Sequence, residues 1–103
     1  MGFIAVYITH ESQEEANRIS EHLVRSRLAA CANIFPINSL FFWVGELQRD
    51  LEWVSLVKTR PELWEKLVEE VELLHPYEVP CIARIDMQAN QSYEAYIREA
   101  TTE

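Results

Sequence analysis

An α+β domain built on an antiparallel sheet is the architecture this sequence predicts, and three observations carry it. Short extended stretches are rich in β-branched and aromatic residues, and apolar residues recur at helical spacing between them. Their order is strand, helix, strand, strand, helix, strand, with one more helix at the end. That order is the split βαβ, ferredoxin-like arrangement, with helices on one face of the sheet. The 103 residues make one domain, 1–103, with no repeat, low-complexity tract or linker.

Phe3 to Thr9 reads as the first strand, with Ile4, Val6 and Ile8 on one face and Phe3, Ala5 and Tyr7 on the other. Ser12 and Glu15 have the S-x-x-E spacing of a capping box, in which each side chain satisfies a free backbone N–H at a helix start. Ala16, Ile19 and Leu23 follow at helical spacing, and the helix runs to about Leu28. Cys31 to Val44 is a long extended stretch. Pro36 within it has no N–H for a ladder and so marks an edge position or a bulge.

Gly45 permits a turn, Glu46 to Leu51 leaves room for a longer connection, and Glu52 to Thr59 is the third strand. Pro61 suits the first turn of a helix whose buried stripe is Leu63, Trp64, Leu67, Val68, Val71 and Leu74. The run from His75 to Pro80 cannot be helical, because each proline forces the residue before it into an extended conformation. Cys81 to Met87 is the fourth strand and Ser92 to Ala100 the last helix.

The strands are apolar on both faces, and two helices cover only one of them. An uncovered apolar sheet face is a liability, so other copies of the chain are expected to bury it in a closed symmetric assembly. Seventeen acidic residues against nine basic ones give a net charge of −8, and there is no basic stripe, which excludes the usual nucleic-acid binder. The apolar Gly2 to Ile8 segment lacks a basic leader region and is too short for a membrane span. The cytoplasm is the expected compartment, with Cys31 and Cys81 reduced.

Four segments in order resemble the divalent-cation tolerance (CutA) family. Residues 27–34 resemble its RLAACxN segment, and Ser39 to Gly45 with Leu47 its aromatic hairpin strand. Val57-Lys58-Thr59 resembles its KT strand end, and residues 75–80 are identical in type to its HPYEVP loop. The resemblance implies a tight homotrimer built by pairing of sheet edges, a role in tolerance of copper and other divalent cations, and no established catalytic activity. Some bacterial members carry a metal-linked cysteine where this chain has Ile8 and an extra histidine where it has Leu74; of that set only His75 is kept.

Two groups of candidate residues follow. Cys31, His75 and Cys81 offer thiolate and imidazole, which suit copper or another divalent cation, although no C-x-x-C or H-x-x-x-H spacing joins them. Cysteine is also a common small core residue, and a histidine ending a helix often serves the free carbonyls there. Trp43, Lys58, Tyr77 and Glu78 are expected to line a cleft between subunits. There Lys58 needs either a carboxylate partner or a small anionic ligand, as in a trimeric sensor of the PII kind. No cofactor is required. Enzyme readings lack their parts: the loop after the first strand is His10-Glu11-Ser12-Gln13-Glu14, which repels phosphate, and the chain has two glycines, too few for a phosphate-binding loop.

Overall fold

The first strand, β1 (Phe3–His10), forms where the sequence alternates apolar side chains on both faces, and it becomes the centre of the sheet. The computed structural model describes residues 2–102. Four further elements follow it in the chain: α1 (Gln13–Arg25), β2 (Cys31–Trp43), β3 (Glu46–Thr59) and α2 (Trp64–Leu74). β4 (Ile82–Met87) and α3 (Gln91–Ala100) complete the fold. A 3₁₀ turn at Pro61–Leu63 leads into α2. The sheet order is β2-β3-β1-β4 and every pairing is antiparallel.

The predicted topology is present, with three corrections. The first helix ends at Arg25 rather than near Leu28. Arg27 takes a left-handed backbone (φ 61°), and the amides of Arg27 and Leu28 turn back to the carbonyls of Val24 and Leu23. This is a Schellman end, with Leu28 and Leu23 in the same apolar cluster; it stands on an arginine where glycine is usual. The third strand begins at Glu46, not Glu52, because Val44 (φ 53°) and Gly45 (φ 77°) close a two-residue turn and β2 pairs with β3 without interruption from Cys31↔Lys58 to Trp43↔Glu46. Pro36 sits in that ladder opposite Trp53 with no bulge; β2 is an edge strand, where one row of N–H groups has no neighbour to serve.

The third correction concerns the layers. Ile4, Val6, Ile8 and Val57 form the main core with Ile19 and Leu23 of α1 and Leu67 and Val71 of α2. Ile8 and Leu74, the two positions that depart from the metal-linked pattern, both belong to this packing. The third helix does not join that layer. Its Ile97 packs with Phe3 and Ala30 in a separate cluster, and Tyr93 meets Phe3 edge-on at 6.1 Å between centroids. Phe3 lies on the face opposite Ile4, so α3 covers one end of the second sheet face, on which Phe35 and Ile85 stay exposed.

The long hairpin gives the molecule its shape. The β1 pairing of β3 stops at Trp53, so residues 37–52 run on as a two-stranded arm. The chain measures 46 × 25 × 21 Å in consequence.

Candidate functional site

Each predicted site residue has a definite place, and no single chain gathers either group. Cys31 begins β2 opposite Lys58, and its Sγ lies 3.4 Å from the Tyr93 hydroxyl. That contact, with burial, pushes the Tyr93 hydroxyl up to about 12. Cys81 is an exposed thiol just before β4. His75 is buried, and both ring nitrogens are engaged: Nε2 donates to the Thr9 carbonyl at 2.7 Å, and Nδ1 accepts from the Tyr77 amide at 3.2 Å. Among the described residues no three histidine, cysteine or acidic side chains are placed to share a metal ion. The histidine does not serve the α2 carbonyls either; Arg18 does, donating to the Leu74 carbonyl at 2.9 Å.

The cleft candidates are equally dispersed. Lys58 and Trp43 stand at opposite ends of the β2–β3 hairpin, twelve ladder positions apart, which is about 40 Å at ~3.3 Å per residue. Lys58 has no carboxylate partner among the described residues; its Nζ lies over the Tyr93 ring, 5.6 Å from the centroid. Tyr77 donates its hydroxyl to Glu52 at 2.6 Å, and burial and that carboxylate raise its pKa well above the usual tyrosine value. Glu78 is exposed beside it. Trp43 can meet Lys58 or Tyr77 only if it comes from another copy of the chain.

What the structure brings together instead is a histidine stack. His10 is fully buried, its ring 5.2 Å from that of His75 and inclined by 20°. Its Nε2 shares a hydrogen bond of 2.8 Å with Ser55, while its Nδ1 is buried with no partner among the described residues. Tyr77 packs edge-on to His75 at 4.7 Å. Burial first, and the neighbouring His75 second, hold the His10 pKa down to about 4 from its ordinary 6.5. The sequence signal for this site is the alternation of β1: positions 4, 6 and 8 point into the core, so position 10 does too.

Exposed apolar residues gather on the arm. Leu40 (64% exposed), Phe42 (75%), Leu47 and Leu51 line one of its faces and Trp43 its tip. Ile85 and Met87 of β4 are exposed on the sheet face that α3 partly covers.

A family model described as CutA1 divalent ion tolerance protein matches residues 4–100. A divalent-cation tolerance protein CutA of Archaeoglobus fulgidus is 45% identical over 83 residues, 81% of each chain. That of Thermus thermophilus is 44% identical over 98 residues, 93% of this chain and 95% of its own. A solved structure, described as the periplasmic divalent cation tolerance protein CutA from Archaeoglobus fulgidus, superposes with a TM-score of 0.94 at 39% identity, covering 97% of this chain and 99% of its own.

Proposed function

The chain belongs to the CutA1 divalent ion tolerance family, and from that premise we propose that it acts in tolerance of divalent cations as a non-catalytic homotrimer in the cytoplasm. The observation that carries the assembly is the projecting arm. Residues 37–52 have no core of their own to join, yet they expose Leu40, Phe42, Trp43, Leu47 and Leu51. A surface of that kind on a small chain is normally covered by a partner. The free edges of β2 and β4 offer the backbone groups for strand pairing between copies. Two unpaired thiols suit a reducing compartment; no helix among the described residues is long and apolar enough to cross a membrane.

In this reading copper or a related ion binds at thiolate sulfur, Cys31 or Cys81, rather than at His75, whose nitrogens are already used. Calorimetric titration of the reduced protein with Cu(I) and Cu(II), beside the Cys31→Ser, Cys81→Ser double variant, tests it. Stoichiometric binding that the double variant loses is the expected outcome. Binding that survives in the variant places the ion elsewhere.

One observation favours a second reading. Lys58 is a half-buried cation without a carboxylate among the described residues, at the sheet face that α3 partly covers. A small anionic ligand held between subunits would supply the missing charge. Loss of ligand binding in Lys58→Met, with the assembly and copper binding intact, would support that reading over the first.

A further inference from the structure

We propose that the His10–His75 stack is an acid-sensitive latch that holds the 75–81 loop and the root of the β2–β3 arm closed while the His10 ring is neutral, and releases them when His10 takes up a proton. The geometry sets the logic. The His75 Nδ1 accepts the Tyr77 amide, so that nitrogen carries no proton in the closed state. Displacement of the His75 ring takes that acceptor away, and the Tyr77 amide loses its partner. His10 has no exposed atom through which a positive ring could be hydrated, and its unpartnered Nδ1 has nothing to donate to. A charged His10 therefore requires the His75 ring above it to move away.

Movement of His75 is transmitted outward. Tyr77 packs on His75 and donates to Glu52, which lies one residue beyond the last β1–β3 pair, where the arm leaves the sheet. The stack thus joins the end of β1, the loop before β4 and the root of the arm, through two histidines 65 positions apart.

Charged groups face the stack from each element packed on it. From α1 come Glu15, which draws a proton in, and Arg18, which opposes it; the two are paired with each other at 2.8 Å. From β3 comes Glu52, and Glu11 and Asp50 lie near the Tyr77 hydroxyl. The ordinary histidine value of 6.5 is where a released His10 begins to take up its proton, so the latch is read between pH 6.5 and 5. The inference concerns one chain and does not rest on the trimer reading.

Amide hydrogen exchange across that pH range, with intrinsic exchange rates divided out, tests the latch. Opening linked to one proton makes the protection of the Tyr77 amide fall about tenfold for each pH unit below 6.5. The β1 amides of Val6 and Ile8 stay protected throughout, and His10→Gln removes the slope. Flat protection at Tyr77 in the unaltered chain, or an unchanged slope in His10→Gln, would overturn the proposal. Should His10→Gln fail to fold, ring NMR of the unaltered chain decides: proton uptake by His10 must track the loss of Tyr77 protection, and uptake with Tyr77 still protected contradicts the latch.

Discussion

Single residues in this chain hold conformations that their side chains disfavour. Val44 occupies the left-handed region at the hairpin turn with φ 53°, fully out in solvent at 86% exposure. A β-branched residue is strained there by about 1–2 kcal/mol, and asparagine followed by glycine is the pair such a turn prefers. Val44→Asn is expected to raise stability by about 1 kcal/mol in denaturant unfolding, with the slope of the transition unchanged. The opposite sign is expected at Ser12, whose hydroxyl accepts the Glu15 amide at 3.1 Å. Ser12→Ala removes that cap at a cost of about 1 kcal/mol. The return half of the capping box is not used, since the Glu15 carboxylate is held by Arg18 at 2.8 Å. Arg18 in turn keeps that carboxyl below its ordinary range.

At the scale of elements, the sequence was most informative where one side of an element meets the core. The stripe of Ala16, Ile19 and Leu23 and the alternation of Ile4, Val6 and Ile8 placed α1 and β1 correctly, because burial rewards those periods and no other. Ile19 and Leu67 are fully buried on facing elements, and either changed to alanine is expected to cost about 3 kcal/mol, measured by chemical denaturation. The misjudged boundaries share a cause. Glu46 to Leu51 is polar and weak in intrinsic strand preference, and it is a strand because β2 lies opposite it. The end of α1 falls about a turn before the sequence suggests, because Arg27 makes the left-handed stop that glycine would have announced.

The site was less legible than the fold for the same reason. Once the hairpin proves to be thirteen pairs long, Trp43 and Lys58 are parted to its two ends, and no spacing in the sequence records that length. Cys31, His75 and Cys81 were grouped by ligand chemistry alone, and strand pairing sends Cys31 to the Lys58 end of the sheet while His75 reaches the Thr9 end. His10 met His75 through tertiary packing across 65 residues, a contact visible only as the last inward position of β1.

For the whole molecule, the buried histidine sets a direction in pH. The folded His10 pKa lies near 4 and the unfolded value near 6.5, so the unfolded chain binds more protons between them. Stability contributed by the neutral ring is complete above pH 6.5 and is lost as the pH falls towards 4, by an amount on the order of 3 kcal/mol. His10→Gln should flatten that part of the curve. The other molecular property is assembly. Exposed apolar residues on the arm are the reason a homotrimer is proposed, and Leu40→Ser with Phe42→Ser is expected to shift the protein towards monomer while leaving the helical signal in circular dichroism unchanged. The measurement that bears most directly on this account is sedimentation equilibrium of the unaltered protein at micromolar concentration. The account predicts three times the 12.1 kDa chain mass. A stable species at the mass of a single chain, with the arm folded and exposed, would contradict it.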